Sequence, residues 1–415
     1  MSEHSAPAIK PADDPAFQLP ASLASLRIPL LGGGLLAMVI GFGLGFKESQ
    51  TFGMSAYLTA LIYCITIAIG SLFFVLIQHL CRAGWSAVVR RIAELFMVMI
   101  IPLAVLFLPV LVTLWMGEGT LYSWDKGEAY GVDNHLPMQI WMEKLRWLDQ
   151  GWFTVRALIY FAIWSGLAIY FFRGSVQQDE TGEKAITDRL QFWSGPAVML
   201  FSLTTSFAAF DWVMSLAPMW FSTMFGVYLF AGSILAAHCM IAVASFLLQR
   251  TGAMRDEVTV EHYHDLGKLI FGFVFFWTYI SFSQFLLIWY GNIPEETHWF
   301  YERQLGTWGR LALVLIFFHW MLPFAGIMSR HVRRNPKLVC FWGVYLLVMH
   351  YIDVYWMIMP ESGTTGGVTG VIACILCVGG MLSLLTGLVL GLAQQTKVVA
   401  VRDPRLGESI AFENV

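Results

Sequence analysis

Charge is scarce in this 415-residue chain: Asp, Glu, Lys and Arg together make up 13% of it. A soluble domain carries about 25%, so a water-soluble body is excluded. The net charge is −3 and the pI near 6.4, which leaves no basic excess for nucleic acid. The first 26 residues lack the short apolar core of a signal peptide and hold Pro7, Pro11, Pro15 and Pro20. They read as a disordered cytoplasmic tail, with the first spanning helix as an uncleaved signal. Cysteine is also sparse. Cys64, Cys81, Cys239, Cys340, Cys374 and Cys377 all lie in or beside apolar segments. Cys374 and Cys377 form a C-x-x-C with no second pair, so they read as small core residues rather than metal ligands. No phosphate loop is present: "GTTGGVTG" at 363–370 lacks the Lys-Ser/Thr that would follow.

Long apolar runs, by contrast, fill the chain. Hydrophobic residues are 57% of it and its mean hydropathy is +0.65. One helix crossing a bilayer takes about 20 apolar residues. Such runs lie near 28–46, 54–80, 92–115, 152–172, 192–214, 220–249, 266–290, 309–329, 338–359 and 369–393. Ten spans give an all-α polytopic membrane protein with both ends on one side. Of the 25 basic residues, only Lys47, Lys126, Lys144, Arg146, Arg156, Arg303 and Arg310 then fall on the opposite side. The positive-inside rule puts both termini in the cytoplasm. The membrane domain is 27–396, and 397–415 is a cytoplasmic C-terminal tail. The longest outer connection, 116–151, carries six acids against three bases. Within it Met138, Trp141, Leu145, Leu148 and Trp152 mark one face of an interfacial helix over about 136–150. Pro102 and Pro109 are expected to kink the third helix.

An ionisable side chain at mid-bilayer costs at least ~2.5–3.5 kcal/mol, so each one needs a reason. His79 and Glu94 lie at the cytoplasmic end, His238 in the inner half, His319 and His350 near the midplane, Asp353 one turn outward, and Asp211 near the outer end of the fifth helix. Structural explanations exist for several. Glu94 follows Arg90 and Arg91 at surface ion-pair spacing, His79 can snorkel beside Arg82, and His238 can be a satisfied bundle histidine. Asp211 can cap the turn before Pro218 or pair with Arg156 or Arg310. His350 and Asp353 stand three apart, so the carboxylate can hold the imidazole and the pair can pass a proton. Pro323 deprives the His319 carbonyl of its helical donor, which favours a polar pocket there. A bis-histidine haem between His319 and His350 is disfavoured, because no histidine pair a dozen residues apart on one helix suggests stacked haems. Tryptophans and tyrosines read mainly as an aromatic belt.

Two longer stretches carry a resemblance: "SFAAFDWVMSLAPMWFSTMFGVYLFAGS" at 206–233 and "FFVLIQHLCRAGWSAVVRRIAE" at 73–94. Here the chain resembles the NrfD/PsrC-like (polysulfide reductase-like) integral membrane family. It is most similar to the second such subunit of bacterial alternative complex III, the quinol:cytochrome c oxidoreductase. The resemblance spans 28 to about 400. It implies two four-helix bundles, helices 2–5 and 6–9, flanked by helices 1 and 10, in a bacterial inner membrane. It also implies several partners: a second NrfD-like subunit, an iron–sulfur subunit, multihaem and monohaem cytochromes c, small membrane subunits and in some complexes a terminal oxidase. Haem and iron–sulfur clusters would sit in those partners; this chain would meet only quinone (menaquinone or ubiquinone) and lipids.

Three functions follow as expectations. In the first, His79, Glu94, Asp211, His238, His319, His350 and Asp353 form two proton half-channels meeting near the midplane. In the second, the chain itself binds and oxidises quinol. The third is a secondary transporter, supported only by a weak internal echo between "GSLFFVLIQH" and "GSILAAH". A purely structural subunit is the remaining possibility.

Overall fold

The computed structural model describes residues 10–133 and 138–414. Ten helices in it are long and apolar enough to cross a membrane. They are α1 (Arg27–Glu48), α2 (Gln50–Leu80), α3 (Ala87–Met116), α4 (Gln150–Thr181), α5 (Lys184–Leu216), α6 (Phe225–Arg250), α7 (Val260–Gly291), α8 (Gly306–Ile327), α9 (Pro336–Ser362) and α10 (Gly367–Ala393). Their boundaries are set by caps. The Ser49 hydroxyl accepts from Phe52 N at 2.9 Å and separates α1 from α2. Asp149 caps α4 through Trp152 N at 2.8 Å, and Gly182, at φ 69°, ends it. Pro336 opens α9 at its first position, behind the Asn335 cap.

α2 and α6 are the most enclosed spans and pack on one another at the centre. A Cβ on Gly70 would stand 2.1 Å from the Ser233 carbonyl oxygen, so only glycine allows this approach. The two segments of the internal echo are thus face to face. α2 also packs on α3 and α5, with α4 against α5, and α6 packs on α7 and α9, with α8 between α7 and α9. Two four-helix bundles result. α1 and α10 pair along their length beside them, backbone to backbone: a Cβ on Gly380 would meet Met38 N at 2.4 Å.

Two spans are interrupted where proline predicts it. α3 breaks at 98–99 and again at Phe107, within a turn before Pro102 and Pro109. α8 widens into a π-turn over Leu315–Met321 just before Pro323. The freed carbonyl that finds a side-chain donor is that of Phe318, from the Tyr345 hydroxyl at 2.8 Å.

The described terminal segments, from residue 10 and up to 414, fold onto the same face. Residues 10–26 are not a disordered tail; residues 1–9 lie outside the described residues. Phe17 is fully buried, Val398 N donates to the Phe17 carbonyl at 2.9 Å, and Met254 N donates to the Ala16 carbonyl at 3.0 Å. Lys10 Nζ clamps Asp256 and Glu257 at 2.8 and 2.9 Å. A buried aromatic, two backbone hydrogen bonds and an ion-paired lysine together hold the segment. The C-terminal segment buries Val398, Val399 and Leu406 in the same layer.

On the opposite face the connection after α3 forms a cap over the first bundle. Tyr122 donates to the Trp212 carbonyl at 2.9 Å and Lys144 to that of Pro218 at 2.7 Å. The expected interfacial helix is present over Met138–Leu145, its first two expected residues lying outside the described ones. Its apolar stripe is divided: Trp141 and Leu148 are buried in the cap, whereas Met138 and Trp152 are exposed. The Asp149 cap stops the helix from continuing, so Trp152 belongs to α4.

Candidate functional site

His319, His350 and the Asp353 carboxyl come together where α2, α6, α7, α8 and α9 meet. His319, His350 and Asp353 are all at most 1% exposed. His350 lies opposite Gly232 of α6, where a Cβ would be 2.8 Å from its Cε1. Its Nε2 is 2.9 Å from Thr66 Oγ1, and that hydroxyl donates to the Tyr63 carbonyl at 2.7 Å. With the hydroxyl proton given to that carbonyl, the tautomer that fits has its proton on Nε2 and Nδ1 as the bare acceptor, an assignment from the hydrogen-bond pattern. That Nδ1 is buried without a partner.

Asp353 does not hold His350, as their spacing predicts. Its carboxylate accepts instead from the Tyr228 hydroxyl of α6 and from Trp277 Nε1 of α7, the latter at 3.0 Å. A carboxylate takes donors where they are aimed at it, and the neighbouring helices aim two. The Trp277 ring also lies against the His319 ring, centroids 4.0 Å apart. His319 itself has neither ring nitrogen partnered. An unpaired buried polar atom is rare and costs about 1–3 kcal/mol; three imidazole nitrogens in this one chamber are unpaired.

The other predicted residues lie elsewhere. His238, ten residues further along α6 than Tyr228, bonds the Ile234 carbonyl through Nδ1 at 2.8 Å between the rings of Phe74 and Phe273. His79 is buried at the terminal end of α2 with Nε2 unpaired. Glu94 is no surface ion pair: it is fully buried between Arg90 at 3.2 Å and Arg91 at 2.8 Å. Arg91 continues to Asp179 at 2.7 Å, and Arg90 to Asp403 of the C-terminal segment. Two arginines therefore face three carboxylates, tying α3, α4 and the C-terminal segment together.

Asp211 pairs with Arg156 rather than Arg310. The guanidinium meets it twice, at 2.8 and 2.9 Å, and Tyr160 and Trp147 donate at 2.8 and 2.9 Å. Arg156 lies 4.2 Å over the Trp147 ring. This carboxylate is saturated with donors. Among the described residues no hydrogen-bonded chain joins His79, His238 or Asp211 to the central chamber.

A cavity of about 400 Å³ opens between the α1–α10 pair and the bundles. Leu26, Leu30, Ile67, Met240, Leu385 and their neighbours line it, and Tyr63 stands between it and His350, ring centroids 5.6 Å apart. No acid, base or histidine is among its lining residues.

Sequence reasoning missed Thr66, Tyr228 and Trp277. Threonine gives no signal in an apolar run, and the two aromatics looked like belt residues. Trp277, near the middle of α7, is too deep for a belt, and that depth was the available clue. Compared with known proteins, the sequence matches no family model and no characterised protein.

Proposed function

We propose that this chain is a membrane subunit of a quinol:cytochrome c oxidoreductase of the alternative complex III type, passing protons through its second bundle and scaffolding its partners. The observation that carries the proton reading is the chamber of His319, His350 and Asp353, whose three unpaired imidazole nitrogens sit in the middle of the spans. The assignment to that complex rests on the resemblance. Its two stretches contain Asp211, the partner of Arg156, and Glu94 with Arg90 and Arg91, with Tyr228 and Gly232 at the chamber wall.

In this reading His350 Nδ1 accepts a proton arriving from the cytoplasmic side. The imidazolium passes one on to Asp353, one turn outward. His319, carried on the widened turn of α8, is the element able to change register and so admit or block transfer. Glu94 and Asp211, each held by arginine, fix the bundle ends rather than carry protons. His79 and His238 line the cytoplasmic half, with water completing the path.

A second reading, quinol oxidation by this chain, draws on the cavity beside Tyr63. Its lining suits an isoprenoid tail, but oxidising a quinol also requires a proton acceptor at the hydroxyls, and the lining supplies none. The first reading is therefore the stronger.

The test is mass spectrometry of what copurifies with the tagged chain in mild detergent. Multihaem cytochrome c, an iron–sulfur protein and a second ten-helix subunit are expected. A chain that purifies alone and colourless would overturn the assignment and favour transport.

A further inference from the structure

The residues beyond Asp353 on α9 continue the polar line to the far surface. Met357 follows one turn later and Glu361 one turn after that, roughly 12 Å of rise from Asp353 at helical geometry. Arg303, from the helix Pro294–Gln304, spans this interval. Its Nη2 donates to the Met357 carbonyl at 3.0 Å and to Glu361 Oε1 at 2.8 Å. Its Nη1 donates to the Trp299 carbonyl at 3.2 Å, and the guanidinium lies 3.7 Å over the Trp299 ring. The arginine side chain is 0% exposed and the Glu361 side chain 21%. The pair therefore links the interior to water. Arg303 Nε is buried with no partner, and its charge also acts on Tyr228, the residue that donates to Asp353.

We propose that protons leave the chamber through Tyr228 to Glu361, with Glu361 the release group on the far surface and Arg303 the positioning cation between them. This rests on the proton-conducting reading above. Arg303 keeps its proton throughout, as a guanidinium does in proteins. One proton leaves the Asp353 carboxyl, the Tyr228 hydroxyl accepts it while giving up its own, and water carries that one to Glu361, from which it passes to solvent. The fixed charge of Arg303 stabilises whichever carboxylate is momentarily ionised. The groups that meet Asp353 are Tyr228 and Trp277, the Trp277 ring being in turn against His319; Glu361 is paired with Arg303, and its charge also acts on Tyr130. Asp211, the acid that depth alone marks as the exit, is held by four donor contacts in the other bundle and leads nowhere.

The alternative is that Arg303–Glu361 only staples the far-side helix to α9. The experiment uses the intact complex in vesicles, recording quinol-driven electron transfer together with proton release on the far side. Glu361→Gln is expected to slow release relative to electron transfer by on the order of a hundredfold, and added acetate, reaching the partly exposed position, is expected to restore it. Should that variant fail to assemble, Glu361→Asp keeps the charge facing Arg303 and is expected to slow release less, again with rescue by acetate. Asp353→Asn is expected to block release without rescue, because its site is closed to solutes. Normal release in the Glu361 variant with a block in Asp353→Asn would overturn the exit and leave the proton reading standing. Slowed release that acetate does not restore would also overturn it, as the mark of a staple. Normal release in both variants would overturn the proton reading itself.

Discussion

At the scale of single residues, burial separates charges that hold the protein together from polar groups left available. Asp211 and Arg156 are the clearest of the first kind. The carboxylate is 0% exposed and the guanidinium side chain 14%, so removing the cation strands a buried negative charge. Breaking such a pair typically costs about 3–5 kcal/mol. Arg156→Ala is expected to lower the thermal unfolding midpoint markedly in detergent, and Arg156→Lys less, because lysine keeps the charge but loses the two-pronged contact. An unchanged midpoint for Arg156→Ala would show that the pair contributes nothing. His319 and His350 are of the second kind: their unpaired nitrogens lower stability where they stand, which is the expected signature of a site kept for function rather than for the fold.

At the scale of elements, the sequence reveals helix number far better than helix ends or partners. Each crossing needs one long apolar run, so ten runs give ten helices. Hydropathy stops where charges begin, but α4 and α5 do not: α4 runs on through Arg173 to Thr181, and α5 starts at Lys184, eight residues before the apolar run. The backbone continues its hydrogen bonding in water. Burial is legible from the polar residues' place inside apolar runs, and His319 and His350 are indeed both at most 1% exposed. Which donor each side chain meets is not legible, since Tyr228 and Trp277 come to Asp353 from helices that only the packing brings near. The N-terminal segment misleads for a related reason, because its anchors, Phe17 and the Lys10 ion pairs, are invisible to composition. Phe17→Ala is expected to cost about 3 kcal/mol, the low end for a buried phenylalanine, and to expose residues 10–26 to protease. Resistance equal to the parent's would mean the segment is held otherwise.

The far-side cap supplies a pH prediction at the same scale. Asp125 is half-buried there, and burial pushes its carboxyl up to about 6, against the opposing pull of the Gly119 backbone N–H and Lys126. An unfolded chain loses this proton near 3.9. Between the two values the folded state holds the extra proton, so stability falls as pH rises. The contribution is whole below about 3.9 and gone above about 6. Asp125→Asn keeps the neutral shape, and is expected to unfold at a higher temperature than the parent at pH 7.5. The difference is expected to close as the pH is lowered toward 4. A constant difference across that range would mean that Asp125 does not titrate in the fold.

For the whole molecule, the arrangement is two bundles joined through α2 and α6, with His319, His350 and Asp353 all in one of them. The first bundle contributes Thr66 and Tyr63 to the chamber wall and ends in two arginine-held networks. The second holds His319, His350, Asp353, Tyr228 and Trp277. That asymmetry makes the final prediction specific. If protons cross by the chamber, Asp353→Asn and His350→Leu should lower the number of protons moved per electron in the reconstituted complex. Electron transfer without a proton gradient and the subunit composition should both persist, because quinol oxidation belongs to a partner in this reading. Gly232→Ala supplies a graded version: the new methyl would press on His350 Cε1 and displace the ring from Thr66, so pumping should fall while both titratable groups remain. Equal stoichiometry in all three variants would remove the chamber from the proton path. Loss of electron transfer itself would move quinol chemistry into this chain, and the cavity beside Tyr63 would then be the place to look for it.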